Sequence, residues 1–316
     1  VAAGNAAMAH LPGRSKEFSF TAMPHRALLI SLGLVCLLLG SFFLFLTSAR
    51  HIAGEIYYGA AVRAYGKQEM QKSFDSFTKA LQWYDDDEYS RVYALAFIDF
   101  ILRDARDGKK DPAVVQTGFQ NAIALAQRAT VLNPKERENW LALGGVYERL
   151  IGIASGAETA ALEAYKKMEA LEPGNPLAYL AQGRTALSAA QAIRSAIAAS
   201  EGKEGADQKA IDEAKKRMDA LVSQAREQLQ KAQEKKGNLE AVYLLNAQLE
   251  EFLGDRKKAI EQTISARQLN PGNLDSLLTL GLLYYDDGQY ENARVAFENI
   301  VKAAPEHQTG LFYLTL

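Results

Sequence analysis

Residues 274–307 read LDSLLTLGLLYYDDGQYENARVAFENIVKAAPEH. Two apolar stretches with the spacing of a helix face lie on either side of the turn Asp286-Asp287-Gly288, and Pro305 closes the segment. Because small residues on two helices leave room for large ones, this segment predicts a closely packed helix pair. The small and large residues of the predicted contact are Gly281, Tyr284, Ala293 and Phe297.

The preceding segment, residues 240–273, carries the same pattern in the same register. Ala247 precedes Pro271 by the same number of residues as Gly281 precedes Pro305 (271 − 247 = 305 − 281 = 24). These residue types and this spacing resemble the tetratricopeptide repeat (TPR) family, in which each repeat is a pair of helices. The resemblance implies an all-α fold, a right-handed α-solenoid whose first helices line a concave binding face.

Weaker copies of the pattern extend towards the N-terminus, so we expect a solenoid of about six degenerate TPR helix pairs over residues 52–316. In the fourth copy, residues 187–224 form either extended helices that project as a hairpin or a loop, and the glycines of SEGKEG favour a break. The apolar GLFYLTL at 310–316 either caps the stack or begins another repeat. The predicted units are 54–87, 88–136, 137–175, 176–237, 240–273 and 274–307, followed by a terminal helix at 308–316.

Residues 27–49, ALLISLGLVCLLLGSFFLFLTSA, carry no charged side chain. As a helix they would extend about 34 Å, which is enough to cross the hydrocarbon core of a bilayer. The competing interpretation is a cleaved secretory signal, because Thr47 and Ala49 are small, but the apolar region of a signal is shorter. We expect a retained transmembrane helix after an N-terminal tail, residues 1–26.

The cations around this segment give only a small preference for orientation, since three precede it and three follow it closely. The tail has fewer acidic residues beside the helix, which favours a cytoplasmic tail and extracytoplasmic repeats. We therefore expect a single-pass protein of the bacterial inner (cytoplasmic) membrane. Because the chain begins with Val1, it is either a processed product, a chain with a non-Met start or a fragment of a longer protein.

Composition excludes several classes of function. Lys plus Arg number 36 and Asp plus Glu number 38, so the net charge of −2 provides no basic field for nucleic acid. The single cysteine, Cys36, lies in the apolar segment, and the four histidines have no second ligand or catalytic partner at helical spacing. We expect no nucleic-acid binding, no cofactor, no metal and no catalytic activity in this chain.

The TPR resemblance places the partner site on the first helix of each pair. Aromatic residues dominate the half nearest the apolar segment, and such rings stack on peptide side chains or on sugar rings, so we expect a protein or peptide partner or an envelope glycan. The alternative is that Tyr93, Phe97 and Phe100 pack against their own neighbouring repeat or against lipid-facing surface. The groove residues implied by the resemblance are Tyr58, Tyr65, Tyr93, Phe97, Phe100, Glu148, Arg149, Arg184, Gln248, Glu251 and Tyr285.

Three hypotheses for function follow. The first is a membrane-anchored TPR scaffold that mediates protein–protein interaction at the cell envelope. The second rests on the arrangement of a transmembrane helix followed by repeats, which resembles the C-terminal part of bacterial O-antigen ligase-like or polymerase-like membrane glycosyltransferases, and it implies a catalytic part outside this chain. The third is an assembly factor of a pilus or secretion system.

Overall fold

The computed structural model describes residues 24–108, 111–201 and 207–315, and within these ranges the chain forms thirteen α-helices and no strand. The prediction of an all-α fold is confirmed for this part of the chain. Most of the predicted tail, residues 1–23, and the glycines of the predicted break in SEGKEG, at 202 and 205, lie outside the described residues. The helices are α1 (Pro24–Gly66), α2 (Met70–Trp83), α3 (Asp87–Arg106), α4 (Pro112–Leu132), α5 (Arg137–Glu148), α6 (Ala157–Leu171), α7 (Pro176–Glu201), α8 (Gln208–Lys235), α9 (Glu240–Phe252), α10 (Arg256–Leu269), α11 (Leu274–Asp286), α12 (Tyr290–Ala303) and α13 (Gln308–Leu314).

Neighbouring helices pack as pairs along the chain, from α1 with α2 to α11 with α12. Four second helices end two residues before a proline, because the residue that precedes a proline avoids the helical conformation. These four helices are α4, α6, α10 and α12, which precede Pro134, Pro173, Pro271 and Pro305. Within pairs, Gly254 and Gly288 adopt φ of +83° and +75°, which glycine tolerates in a tight turn.

Helix α1 joins the apolar segment to the repeats without interruption. It runs over 43 residues, so residues 27–49 and the first helix of the first pair are one helix rather than an anchor and a separate repeat. The apolar side chains of residues 28–46 are exposed, whereas Ala61 and Ala64 are buried. By length and composition, α1 is the one described helix that could cross a membrane.

Small residues allow close contact inside the pairs, as the sequence predicts. A Cβ added at Gly281 would lie 2.8 Å from Cε1 of Phe297, and one added at Gly144 would lie 2.6 Å from Cζ of Tyr165. Carbon atoms that are not bonded pack at about 3.5–4.0 Å, so only glycine fits at either position. A Cβ added at Gly183 would likewise lie 3.1 Å from Cγ of Leu229.

After α1, the two longest helices are α7 and α8, with 26 and 28 residues, and they form one pair. Residues 187–201 and 208–224 are therefore helical, which favours the extended hairpin over a loop for the described part of 187–224. The contact between the two helices is made of alanines and aliphatic residues. The small alanine side chains allow the two backbones to approach closely. The C-terminal α13 packs on α12, where the ring of Tyr313 stacks on that of Phe297 at 4.9 Å.

Candidate functional site

A cavity of about 540 Å³ lies between α2, α3 and α4. Its floor is made of aromatic rings from α2 and α3, and we call it the aromatic cavity. Three residues predicted for the partner groove line it, and the structure adds one from α2 that the sequence pattern did not single out. The four rings are Phe74, Tyr93, Phe97 and Phe100.

These rings support one another. Tyr93 stacks on Phe77 of α2 at 5.0 Å between ring centroids, and Phe74 meets the rings of Phe97 and Phe100 edge to face at 5.3 and 5.1 Å. Such pairs contribute about 0.5–1.5 kcal/mol beyond their burial. Tyr93, Phe97 and Phe100 thus pack against the neighbouring pair, as the alternative interpretation holds, and their remaining half-exposed surface also faces the cavity.

Polar side chains surround the aromatic floor. Gln71, Asp75 and Thr78 come from α2, and Thr117 and Asn121 come from α4. The amide of Gln71 donates to the carboxylate of Asp75 at 3.0 Å, and both side chains are exposed. An apolar floor with a few amides, hydroxyls and one carboxylate is the composition of a site that receives an apolar side chain and bonds the polar groups around it.

The aromatic cavity and the ion pairs of the first helices lie on opposite sides of α3. Asp99 follows Phe97 by two residues, and two residues turn an α-helix by about 200°. Asp99 accepts a hydrogen bond from Arg149 of the next pair at 2.7 Å, on the side where first helices meet. Tyr93, Phe97 and Phe100 thus leave α3 towards the second helices α2 and α4. That they share one concave groove with Glu148 and Arg149 stays a prediction.

Glu148, Arg149 and Arg184 belong to a series of contacts between first helices, which we call the ion-pair ladder. Arg149 reaches back to Asp99, while Arg184 of α7 donates twice to Glu148, through Nε at 2.6 Å and Nη2 at 2.8 Å. The hydroxyl of Tyr165 also donates to Glu148 at 2.8 Å. Each of these predicted groove residues already has a partner within the chain.

Glu148 is the most buried member of the ladder, since its side chain is 12% exposed and that of Arg184 is 50% exposed. The hydrogen bonds to Glu148 raise the pKa of Arg184. Burial, and then the adjacent Glu148 carboxylate, raise the pKa of Tyr165. These directions indicate a neutral tyrosine and a charged arginine that stabilise one carboxylate, which is a structural arrangement between consecutive pairs.

The distal predicted residues fall into two further environments. Gln248 and Glu251 of α9 line a polar cavity of about 520 Å³, together with Arg194 of α7, Arg256 at the start of α10 and Asp286 at the end of α11. Arg194 lies over the ring of Phe252 at 3.8 Å and donates to its carbonyl. Tyr285 instead joins an aromatic cluster at the C-terminal end, 5.5 Å from Tyr290 and 5.2 Å from Tyr313.

The two predicted residues nearest the apolar segment are part of the core of the first pairs. Tyr58 stacks on Tyr89 at 4.6 Å, and its hydroxyl donates to Glu88 at 2.8 Å. Burial is the main cause that raises the pKa of Tyr58, and the hydrogen bond to Glu88 raises it further. Tyr65 packs half-buried in the same hydrophobic cluster as Phe74 and Phe77. Both tyrosines support the aromatic cavity from behind rather than line it.

The structure also contains a larger apolar cavity, of about 850 Å³, whose position the sequence pattern did not indicate. It lies between the end of α3, the face of α4 opposite the aromatic cavity and the turn after α5. The extra residues IGIASG at 151–156 were a detectable signal, because they lengthen this turn and place Ile153 and Ala154 on the cavity wall. Phe119 and Ile123 of α4 form the opposite wall.

Within the described ranges, no group of three or more His, Cys, Asp or Glu side chains is arranged to hold a metal ion. The acidic side chains of the run at 85–88 are bonded to groups of the chain itself. Asp85 forms an ion pair with Arg128 at 2.7 Å, and Asp86 accepts from the backbone N–H of Glu88 at the start of α3.

The sequence matches no protein-family model and no curated protein. Among solved structures, TTC0263 of Thermus thermophilus, described as a thermophilic TPR protein, is 18% identical with a TM-score of 0.47, over 69% of this chain and 97% of that chain. YrrB, described as a TPR protein with an unusual peptide-binding site, is 16% identical with a TM-score of 0.38, over 76% of this chain and 98% of that chain. Both of these similar structures are described as TPR proteins. PilF of Pseudomonas aeruginosa is 12% identical with a TM-score of 0.47, over 84% of this chain and 99% of that chain. At such identities a likeness concerns the fold and says nothing of partner or location.

Proposed function

We propose that the chain is a membrane-anchored scaffold whose helix pairs bind a segment of a partner protein at the cell envelope. The observation that carries the proposal is the aromatic cavity, with three half-buried rings and one buried ring at its floor and exposed amide, hydroxyl and carboxylate groups at its rim. An apolar side chain of the partner fits the floor, while the rim bonds the backbone beside it. No catalytic role is proposed.

The anchor in this proposal is the N-terminal part of α1. Its side chains at 28–46 are exposed and apolar, an extended surface that is unfavourable in water. Anchoring confines the binding site to one membrane and so raises the effective concentration of a membrane-associated partner. We place the repeats on the extracytoplasmic side. In intact cells, Val295→Cys in a Cys36→Ser background is then labelled by a membrane-impermeant maleimide, and labelling only after lysis contradicts this orientation.

Binding in the aromatic cavity is tested by site-specific photo-crosslinking in the full chain. A photoreactive amino acid at Asn121, on the rim, is expected to form a discrete adduct with one partner. The control position is Val295 of α12, whose side chain is 47% exposed and lies outside the cavity. An adduct of equal yield at both positions contradicts a defined site.

A blocking variant separates cavity binding from general adhesion. Thr117→Trp places an indole at the rim without removing any ring of the floor, so the adduct at Asn121 is expected to disappear. Thr159→Trp, at an exposed position of α6, is the matched control and is expected to leave the adduct unchanged. A persistent adduct in Thr117→Trp overturns the assignment of the cavity.

The chemical nature of the adduct decides between the two partner classes expected from the sequence. Peptide fragments in the adduct support the proposed function, whereas a saccharide supports the glycan, which stacks on the same rings. No observation on the described residues favours the O-antigen ligase-like hypothesis, and it is not proposed.

A further inference from the structure

The first helix pair carries aromatic residues at the level where the apolar part of α1 ends. Arg50, the first charged residue after that segment, donates from Nε to the carbonyl of Trp83 at 3.1 Å. The ring of His51 meets the ring of Tyr84 edge to face at 4.6 Å. Because Trp83 ends α2 and Tyr84 follows it, these contacts fix the turn between α2 and α3 directly onto α1.

Gly54 keeps this turn close to α1. A Cβ added at Gly54 would lie 2.9 Å from Cβ of Tyr84 and 3.2 Å from the ring of Tyr89, so a larger residue there would displace the turn. Arg50 lies about 1.5 Å and Gly54 about 7.5 Å beyond Ala49 along the helix axis, at 1.5 Å per residue. The turn is therefore held within two helical turns of the uncharged segment.

The distance of this turn from the end of the uncharged segment matches the thickness of the headgroup layer of a bilayer. A hydrocarbon core of about 30 Å within a bilayer of about 40–45 Å leaves a polar layer of about 5–7 Å on each side. With residues 27–49 in the core, Arg50, His51, Trp83 and Tyr84 lie in that layer. Trp and Tyr are enriched there because their rings are apolar at one end and polar at the other.

The aromatic side chains at this place are partly exposed. Trp83 is 45% exposed and Tyr84 is 36% exposed. The acidic residues that follow are bonded within the chain, since Asp85 pairs with Arg128, Asp86 caps α3, Asp87 accepts from Asn139 and Glu88 accepts from Tyr58. The patch therefore presents two aromatic rings beside the cation of Arg50.

We propose that Arg50, His51, Trp83 and Tyr84 form an interfacial belt that seats the first helix pair on the phospholipid headgroup region of the membrane. This inference rests on the proposed anchor and adds a second contact with lipid, made by the repeat region itself. The belt also sets the distance between the membrane and the aromatic cavity. Phe74 precedes Trp83 by nine residues on α2, so the aromatic cavity lies about 14 Å from the belt along that helix.

The two tryptophans of the chain allow a direct test, because they are Trp83 and Trp140. Trp140→Phe leaves Trp83 in the belt, and Trp83→Phe leaves Trp140, whose indole donates to the carbonyl of Pro134 in the third helix pair. Each full-length variant is reconstituted into phosphatidylcholine vesicles, and flotation on a density gradient shows whether it is anchored. Circular dichroism verifies that both variants fold.

Quenching by lipids brominated near the glycerol end of their acyl chains then reports contact with the interface. We expect the fluorescence of Trp83 to be largely lost and that of Trp140 to be unchanged. Variants that float with the vesicles while Trp83 is quenched no more than Trp140 overturn the belt but leave the anchor intact. Variants that do not float overturn the anchor, and with it the belt.

Discussion

Two adjacent glycines of α5, Gly144 and Gly145, offer a test of the close packing inside a pair. A Cβ at Gly144 would lie 2.6 Å from Cζ and 2.7 Å from Cδ1 of Tyr165, whose ring is completely buried. The ring has nowhere to move, because its hydroxyl is bonded to Glu148. A Cβ at Gly145 would instead meet the flexible end of Arg149, at 3.2 Å from Nη1.

The two substitutions by alanine are therefore expected to have opposite effects. Overpacking a core costs about 1–3 kcal/mol, and replacing glycine in a helix recovers about 1 kcal/mol. Gly144→Ala should lower the free energy of unfolding by up to about 2 kcal/mol, whereas Gly145→Ala should leave it unchanged or raise it by up to about 1 kcal/mol.

The assay is urea unfolding of the full chain in one detergent, followed by far-ultraviolet circular dichroism. A double-mutant cycle with Tyr165→Leu identifies the ring as the cause, because removal of the ring should relieve the effect of Gly144→Ala by about 1 kcal/mol. The reasoning is refuted when Gly144→Ala is as stable as Gly145→Ala, or when the cycle shows no coupling.

Two further predictions concern the ion-pair ladder. Because the pKa of Tyr165 is raised in the folded state, its stabilising contribution is complete below the unfolded pKa of about 10 and is lost as pH rises above it, by up to about 1.4 kcal/mol per pH unit. Urea unfolding at pH 10 and pH 11 should show a smaller loss in Tyr165→Phe than in the wild type or in Tyr290→Phe, whose ring is 65% exposed, and equal losses contradict the assignment. Glu148→Ala leaves Arg184 and the hydroxyl of Tyr165 without their acceptor and should lower the free energy of unfolding by about 2–3 kcal/mol. Glu298→Ala removes an exposed i,i+4 ion pair with Arg294 and should change it by less than about 0.5 kcal/mol, so similar losses in the two variants argue against a special role for Glu148.

The candidate site could be predicted only in part. The TPR resemblance pointed to Tyr93, Phe97 and Phe100, and these residues do line a cavity, but the second helices α2 and α4 enclose it. Helix α3 has apolar residues on more than one face, since both Ala94 and Ile98 are buried against the next pair while Phe97 faces the previous one. Spacing along one such helix does not distinguish its faces, because that distinction depends on what packs on each side.

What the sequence determined by itself is local. The spacing of apolar residues, the prolines after α4, α6, α10 and α12 and the small residues Gly281 and Ala293 were enough to predict the all-α fold, because each acts within a few residues of its own helix. The tertiary structure alone decided which distant side chains meet. Gly144 and Gly145 are indistinguishable as sequence, yet only one faces Tyr165, and Trp83 reaches Arg50 across 33 residues because α2 runs back along α1. Such contacts depend on how whole helices pack, and no pattern within a single helix contains that information.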